Sequence, residues 1–551
     1  MPFDPVLCLN GISVAVVKMR VTVICLFFVS FIFVSAKKPN IVVIIADDLG
    51  WNDIGFHGMN HIPTPNIDAL AWSGIVLQKY YVHPICTPSR SALMTGKYAH
   101  NLGLQHRVLY GMEPRGLPLS EKILPQYLKG LGYKTHLVGK WHLGSYKKEY
   151  LPLNRGFDSH IGFWTGRIDM YDHTNMEQGS WGFDFRRGYE VAHDYFGKYV
   201  TDIYTQEAEK IIKGHNKSEP LFLVVAHSAV HSGNPPEPIR APDDVIESFN
   251  HISNYQRKKF AGVLSKLDES VGKVISSLHS EDLLNNTVVL FTTDNGGCPA
   301  GFNQNAGSNY PLRGTKATFW EGGTRGAAVL WSPLLQKKSR IANQRLHITD
   351  WLPTLFGVAR GNVSVLKDID GIDQWDALSK DEKSQRNTIT YNIDQIDGTG
   401  ALSIDDWKLV TGKDYDGEWD GWFGPDGYEG AYNKDLVYDS PAGKAISDLK
   451  LMPPKDYIDE LRKTAQVTCG NQSVLVCDAK AKPCLFDLSQ DPCERQNLAS
   501  EQPEMLKKLW VEFLKANATA KLPSNLPMDP RGNPKYWGRM YVNFGDFERL
   551  S

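Results

Sequence analysis

The sequence has no marked excess of charge of either sign, because its 60 lysine and arginine residues are balanced by 62 aspartate and glutamate residues. A net charge of -2 provides no overall basic field, so we expect neither nucleic acid nor an anionic membrane surface as a partner. Internal repeats and low-complexity tracts are also missing. With 42% hydrophobic and 11% aromatic residues, the composition excludes disorder, collagen and coiled coil. The 551 residues therefore suit a large globular α/β domain together with a smaller one.

Long apolar runs are scarce, and the one that stands out lies near the N-terminus. Residues 21–34 are mainly apolar, follow Lys18 and Arg20, and lead to the small residue Ala36. A basic flank, a short apolar stretch and a small residue after it predict a secretory signal over residues 1–36, cleaved after Ala36. The run is shorter than the roughly 20 residues of a spanning helix, so an uncleaved anchor is the less favoured alternative. We expect no stable membrane anchor.

Entry into the secretory pathway decides which location and which modifications we expect. The mature protein should be lysosomal or secreted, and its true start is Met1 or Met19. N-linked glycans are attached at Asn-x-Ser/Thr sequences in secreted chains. The candidates are Asn216, Asn285, Asn362, Asn471 and Asn517.

Four of the eight cysteines crowd together near the C-terminus. They are Cys469, Cys477, Cys484 and Cys493. In a secreted chain such crowding predicts two disulfides, and we favour the nested pairing, Cys477–Cys484 inside Cys469–Cys493, among three connectivities. A zinc site is the alternative, but the sequence contains no Cys-x-x-Cys pair to support it.

Three short apolar runs have the pattern of strands that are buried on both faces. Residues 40–46, 221–226 and 287–293 are rich in β-branched and aliphatic side chains. Helical patterns lie between and around them, at residues 63–73, 89–98 and 255–278. Strands alternating with helices predict a large, mostly parallel sheet sandwiched by helices. Ligands in this architecture gather beyond the carboxyl ends of the strands.

The composition and the hydrophobic pattern of the chain change after about residue 385. Residues 37–385 carry the α/β pattern and are the predicted catalytic domain. Residues 386–551 are first rich in glycine, aspartate and tryptophan, then contain the cysteine cluster and a helical pattern at residues 501–516. We expect this part to form a smaller C-terminal domain with an antiparallel sheet.

Acidic pairs follow two of the predicted buried strands. Asp47 and Asp48 end the first strand, and Asp294 and Asn295 end the third. Three carboxylates and one amide oxygen are hard ligands that suit Ca²⁺ or Mg²⁺ rather than Zn²⁺. Each pair alone is better explained as a helix cap or turn, but two pairs at one sheet edge favour a metal site.

The most specific motif is Cys86-Thr-Pro-Ser-Arg90, which Leu-Met-Thr-Gly follows. Pro88 and Ser89 are typical of the first turn of a helix, so Cys86 should lie beside a helix N-terminus. By its chemistry alone it is either a nucleophilic thiol of low pKa or an inert core cysteine. The motif resembles the signature of the sulfatase family, in which this cysteine is oxidised to formylglycine during secretion.

The resemblance to sulfatases extends over most of the chain and implies their alkaline-phosphatase-like fold. The similar segments are residues 40–51, 64–70, 138–144, 293–297, 311–316, 320–325 and 485–497. Val138-Gly-Lys-Trp-His-Leu-Gly144 matches the lysine–histidine segment of the family, and Thr293-Asp-Asn-Gly-Gly297 matches its second metal segment. Within the family, the chain resembles the arylsulfatase B (N-acetylgalactosamine-4-sulfatase) branch.

The resemblance assigns a role to each site residue. It implies one Ca²⁺ ion, held by Asp47, Asp48, Asp294, Asn295 and the oxygen at position 86. The catalytic residues would be Cys86, Arg90, His142 and His231, and the substrate-binding residues Lys140, Lys316 and His231. His227 competes with His231 as the acid, and we favour His231 because Ala-Val-His at 229–231 matches the family pattern. The implied partners are a sulfate-ester substrate and the formylglycine-generating enzyme.

One departure from the family pattern leaves the substrate open. Ser232-Gly233-Asn234-Pro235 stands where vertebrate arylsulfatase B has Glu-Pro-Leu. We expect this chain to share the hydrolytic groups of the family but not necessarily its sugar specificity. A glucosinolate-type or other small-metabolite sulfate is the alternative substrate. Two further alternatives are a two-zinc phosphatase or phosphodiesterase of the same superfamily and an inactive binder of sulfated glycans. Cysteine at position 86 and the presence of all catalytic residues argue against both.

Overall fold

The computed structural model describes residues 37–470, 473–475 and 477–547. The predicted signal over residues 1–36 and the glycosylation candidate Asn471 lie outside this part of the chain. Within it, no helix has the length and apolar character that crossing a membrane requires. Asn216, Asn285 and Asn362 are exposed and Asn517 is half-buried, and their glycosylation stays a prediction.

The strands of the described residues are numbered in chain order. They are β1 Asn40–Ala46, β2 Ile75–Tyr81, β3 Lys134–Lys140, β4 Ser159–Phe163, β5 Thr174–Glu177, β6 Ser180–Phe183, β7 Arg186–Arg187, β8 Glu190–Val191, β9 Leu221–Ala226, β10 Thr287–Thr293, β11 Ala328–Trp331, β12 Arg340–His347, β13 Thr388–Asp394, β14 Thr399–Ile404, β15 Trp407–Thr411 and β16 Cys484–Asp487. The three predicted buried strands are therefore confirmed as β1, β9 and β10.

The α-helices of the same residues are numbered in the same way. They are α1 Pro65–Ser73, α2 Cys86–Thr95, α3 Leu124–Gly130, α4 Val200–Lys213, α5 Asp243–Glu247, α6 Tyr255–Ser280, α7 Glu321–Thr324, α8 Trp351–Val358, α9 Trp375–Lys380, α10 Lys434–Asp439, α11 Pro441–Asp448, α12 Lys455–Ala465 and α13 Pro503–Thr519. The helix predicted over residues 89–98 is shifted. It begins at Cys86 and ends at Thr95, because Gly96 adopts the left-handed conformation with φ 69°.

The large sheet has the strand order β12-β2-β11-β10-β1-β9-β3-β4-β7-β8. Its centre, β10-β1-β9-β3-β4, is entirely parallel. Successive side chains of β1 enter two different hydrophobic cores, with Val42 and Ile44 in one and Ile41 and Val43 in the other. Helices α1, α4, α6 and α11 contribute to the first core, and α2, α3 and α8 to the second. The predicted mostly parallel sheet with helices on both faces is confirmed.

A separate antiparallel sheet forms in the C-terminal part, in the order β13-β14-β15-β16. The predicted late helix is α13, whose Leu509 and Phe513 pack on this sheet. The nested disulfides Cys469–Cys493 and Cys477–Cys484 are confirmed, with Cα atoms 5.7 and 6.0 Å apart. The division of the chain into two domains at residue 385 stays a prediction.

Candidate active site

The carboxyl ends of β1 and β10 lie side by side at one edge of the large sheet. The two strands pair in parallel with Ala46 opposite Thr293. Asp47 and Asp294, the next residue of each strand, therefore leave the sheet next to each other. The Asp47 backbone N–H also donates to the Ala229 carbonyl at 2.9 Å, which fixes the first pair against the end of β9.

The four predicted metal ligands are brought together and buried. Asp47, Asp48, Asp294 and Asn295 are each at most 1% exposed. The Asp48 backbone N–H donates to Asp294 Oδ1 at 3.3 Å, and Asn295 Nδ2 donates to Asp48 Oδ1 at 2.7 Å. Asp48 has a φ of 60°, a left-handed conformation that aspartate tolerates better than most residues.

Cys86 begins helix α2 at the centre of this cluster. It is a buried free cysteine, and its Sγ lies 3.7 Å from Asp47 Oδ1. Burial raises the pKa of the Cys86 thiol to about 12, although the charges of Lys140 and Lys316 oppose the shift. Burial therefore works against the nucleophilic thiol of low pKa, one of the two interpretations of this residue by its chemistry alone.

Three basic side chains neutralise the three carboxylates. Lys140 Nζ lies 2.7 Å from Asp47 Oδ2, and Lys316 Nζ lies 2.6 Å from Asp48 Oδ1. Arg90 Nη2 lies 2.9 Å from Asp294 Oδ2. These six side chains are at most 6% exposed. The two lysines predicted to bind sulfate, and the arginine predicted to hold residue 86, thus lie in one cluster with the acidic residues.

The basic neighbours lower the pKa values of two of the buried carboxyls, Asp47 and Asp48. Burial opposes the charge of Asp47, but Lys140, His231 and Arg90 outweigh it and hold the pKa of this carboxyl below its usual value. Burial likewise opposes the charge of Asp48, but Lys316 and His231 lower its pKa overall. Deprotonated carboxylates are the form that binds a metal ion.

The two predicted catalytic histidines border the cluster from different segments. His142 follows β3, and its Nε2–H donates to the Leu109 carbonyl at 2.9 Å. This bond leaves Nδ1 as an acceptor, and Nδ1 is buried without a hydrogen-bond partner in the described chain. Burial first, then the charges of Lys140 and Arg90, lowers the pKa of His142 far below its usual value.

His231 and its competitor His227 are placed differently. His231 Nε2 lies 3.5 Å from Asp48 Oδ2, and its Nδ1 lies 2.6 Å from the Ser232 carbonyl. His227 is completely buried and points to Ser270 of α6, 3.3 Å away. Of these two, His231 lines the cavity that contains Cys86. The placement favours His231 for the acid role, which stays a prediction.

A cavity of about 310 Å³ leads from the surface to Cys86. Its base includes Cys86, His142, His231 and Lys316. Its walls include Tyr110, Arg167, Glu177, Gln178, Phe302, Asn303 and Tyr415. These wall residues could not be identified from the sequence, because no local motif marks them. They come from segments that only the fold brings together.

The residues present fit a hard divalent cation. The side-chain oxygen of Asn295 is buried and has no hydrogen-bond partner among the described residues, as expected for a metal ligand. Ligand atoms of Asp47, Asp48, Cys86 and His231 lie within 4.8 Å of one another. The side chains of Asp47, Asp48, Asp294 and Asn295 all offer oxygen donors, which favour Ca²⁺ or Mg²⁺. Cys298 Sγ lies 3.3 Å from Asp48 Oδ2, a contact that the sequence did not indicate.

The fold and this site are those of a hydrolase whose buried acidic, basic and cysteine residues meet at the carboxyl edge of a parallel sheet. The family model Sulfatase matches residues 39–361, and the chain belongs to the sulfatase family, which hydrolyses sulfate esters. Mouse arylsulfatase J is 37% identical over 529 residues, covering 92% of this chain and 81% of the relative. Human N-acetylgalactosamine-6-sulfatase is 30% identical over 378 residues, covering 65% of this chain and 69% of the relative.

A solved structure has the same architecture. Ps i-CgsB in complex with k-i-k-neocarrahexaose superimposes with a TM-score of 0.69 at 25% identity, covering 90% of this chain and 96% of that chain. The predicted family and fold class are therefore confirmed.

Proposed function

We propose that this chain hydrolyses sulfate monoesters through a formylglycine made from Cys86, with one Ca²⁺ ion bound by Asp47, Asp48, Asp294 and Asn295. The observation that carries the proposal is the position of Cys86, buried amid three carboxylates and three basic side chains. A hydrated aldehyde at this position would supply one hydroxyl for attack on sulfur and a second for release of sulfate. The bound ion would polarise the nucleophile and the sulfate oxygens.

In this proposal Lys140 and Lys316 bind the sulfate group, and Arg90 orients residue 86. The ammonium groups of Lys140 and Lys316 can neutralise the negative charge on the sulfate oxygens during the reaction. Arg90 is held by Asp294 at 2.9 Å and would orient the hydrated residue 86. Because all three are buried, their interactions with an anion are less screened than they would be in water.

The two histidines would move protons. His231 is the proposed acid for the leaving oxygen, and His142, with its free Nδ1, the proposed acceptor of the proton from residue 86. Burial lowers the pKa of His231 to about 4, although Asp48 opposes the shift. The negative charge of a bound sulfate ester would raise this pKa, because a nearby anion favours the imidazolium.

The substrate we propose is a sulfated sugar, with an aryl or metabolite sulfate as the alternative. One named relative is an N-acetylgalactosamine-6-sulfatase, and one solved neighbour was crystallised with k-i-k-neocarrahexaose. The narrower N-acetylgalactosamine-4-sulfatase activity, which the sequence resemblance implies, also stays a proposal. A glucosinolate-type sulfate remains an alternative substrate because residues 232–235 depart from the family pattern.

The test begins with mass spectrometry of the peptide that contains residue 86. The aldehyde should replace the thiol after co-expression with a formylglycine-generating enzyme, the proposed maturation partner in the secretory pathway. Elemental analysis should find one calcium ion per chain. Cys86→Ser should lose turnover, because serine lacks the second hydroxyl that releases sulfate. An unmodified thiol in fully active enzyme would overturn the mechanism, and stoichiometric zinc with phosphate-ester hydrolysis would favour a phosphatase.

A further inference from the structure

The segment that follows His231 supports one wall of the cavity. Asn234 Nδ2 donates to the Thr174 carbonyl at 2.9 Å and to Thr174 Oγ1 at 3.0 Å. Its Oδ1 accepts from the Met176 backbone N–H at 2.9 Å. Asn234 is 8% exposed, so these bonds are shielded from water. They fix strand β5, which ends at Glu177 in the cavity wall.

The same segment supports a second part of the cavity wall. Asn305 Nδ2 donates to Ser232 Oγ at 3.0 Å and to the Val230 carbonyl at 2.9 Å. Asn305 is 2% exposed and closes the loop that carries Phe302 and Asn303 into the cavity. Residues 232–234 therefore connect the proposed acid to both parts of the cavity wall. This is the segment whose sequence departs from the family pattern.

Glu177 is an unexpected group in a cavity that accepts an anion. Its carboxylate accepts a hydrogen bond from the Gly111 backbone N–H. Burial raises the pKa of Glu177 to about 7, although the hydrogen bond from Gly111 and the charge of Arg167 oppose the shift. In the described part of the chain no basic side chain forms an ion pair with it. When it is ionised, above that pKa, the Glu177 carboxylate repels a second anionic group of the substrate and accepts hydrogen bonds from donors such as sugar hydroxyls.

Aromatic side chains provide an apolar surface in the same cavity. Tyr415 is 46% exposed, and Phe302 meets its ring edge to face with centroids 5.8 Å apart. An exposed ring supported by a second ring is suited to packing against the C–H face of a pyranose. A neutral sugar ring needs an apolar surface for its C–H face and acceptors for its hydroxyls. The cavity beside Cys86 provides both.

We propose that Glu177 and Tyr415 form a leaving-group subsite that binds the hydroxyl-bearing ring of a sulfated sugar. Asn234 is the positioning residue of this subsite, because it holds the strand that ends at Glu177. The inference rests on the proposed sulfatase activity and adds the class of leaving group: a sugar without a second anionic group beside Glu177.

The experiment compares a sulfated neutral monosaccharide with 4-nitrophenyl sulfate, whose leaving group has no hydroxyl donor. Glu177→Ala should lower kcat/KM for the sugar ester about 10- to 100-fold, the size of one hydrogen bond to a charged group. It should change kcat/KM for the aryl ester less than about threefold. Asn234→Ala should raise KM for the sugar ester with a smaller effect on kcat. The matched control is Glu190→Ala, an exposed glutamate of β8, which should leave both esters unchanged.

Each outcome separates this inference from the proposed function. Equal losses on both esters in Glu177→Ala would overturn the subsite, since they would indicate a general structural effect. Unchanged turnover of the sugar ester would overturn it as well, and so would faster turnover. Hydrolysis of the aryl ester by the wild type confirms that the sulfatase machinery works in the same samples. If the wild type hydrolyses neither ester, the proposed function fails and the subsite fails with it.

Discussion

A buried ion cluster joins the small sheet to the segment that carries Lys316, and removing its central lysine should destabilise the protein strongly. Lys408 of β15 contacts Glu321 Oε1 at 2.8 Å and Glu494 Oε1 at 2.9 Å. All three side chains are 0% exposed. Glu321 begins helix α7, five residues after Lys316. Lys408→Met keeps most of the side-chain volume but leaves the buried Glu494 without its ion-pair partner. Glu321 then keeps only the longer contact with Arg325, whose Nη1 lies 3.8 Å from Oε2.

The magnitude follows from the cost of an unpaired buried charge. Breaking a buried ion pair by removing one partner costs about 3–5 kcal/mol, a large share of the roughly 5–15 kcal/mol that keeps a protein folded. Burial raises the pKa of Glu494 to about 7, although Lys408 lowers it. A carboxyl whose pKa is raised on folding loses its stabilising contribution as pH rises through that value. Without Lys408 this loss grows, so the free energy of unfolding of the variant should be lower at pH 8 than at pH 5.

The assay is urea unfolding with the disulfides intact, at pH 5 and pH 8. Lys480→Met is the control, because Lys480 pairs with Asp416 at 3.3 Å on side chains that are 72% and 95% exposed. This control should unfold like the wild type. Lys408→Met combined with Glu494→Gln should recover part of the stability. A loss below about 1 kcal/mol in Lys408→Met, or an equal loss at both pH values, would refute the reasoning.

Three further outcomes concern the metal, the acid and the effect of pH. Asp294→Ala should lower the amount of bound divalent ion and abolish sulfate-ester hydrolysis while the circular dichroism spectrum is kept; elemental analysis that finds full occupancy would contradict this. His231→Ala should slow alkyl and sugar sulfates by about 10²–10⁴-fold, and activated aryl sulfates less. A rate series over leaving-group pKa should show no such dependence for His227→Ala, and a steeper dependence there would assign the acid to His227. Burial, then the charge of His83, lowers the pKa of His100 to about 3, so its stabilising effect is present above pH 6.5 and lost as pH falls towards 3. His100→Phe should therefore reduce the fall in melting temperature between pH 7 and pH 4. An equal fall in the variant and the wild type would contradict this.

The centre of the site could be predicted because its signals are local in the sequence. Asp47 and Asp294 each follow a continuous apolar run, and parallel pairing of two such runs brings their ends together. Cys86 lies in a contiguous motif, and the glycine after its helix marks where the helix ends. Even so, the predicted start of that helix was three residues late, because Cys86 itself has helical geometry.

The walls of the cavity could not be predicted, since their signals are contacts between distant segments. Asn234 meets Thr174 across 60 residues, and Asn305 meets Ser232 across 73. Neither asparagine lies in a periodic pattern, and each is an ordinary loop residue when the sequence is considered alone. Lys408 likewise belongs to a strand whose alternation indicates nothing about the two glutamates that it meets. A lysine and two glutamates are equally common on a protein surface, so their residue types do not indicate a buried cluster.

The burial of Cys86 explains why the proposed chemistry needs a modified residue. With a pKa of about 12, the thiol is ionised to only about one part in 10⁵ at pH 7. Neighbouring carboxylates disfavour a thiolate further, because Asp294 and Asp47 raise this pKa. A neutral diol at the same position needs no net charge and can donate to a carboxylate such as Asp47, whose Oδ1 lies 3.7 Å from Sγ. Turnover should therefore rise in proportion to the aldehyde fraction measured by mass spectrometry in preparations converted to different extents. A clear residual rate at zero aldehyde would show that the thiol form acts by another route.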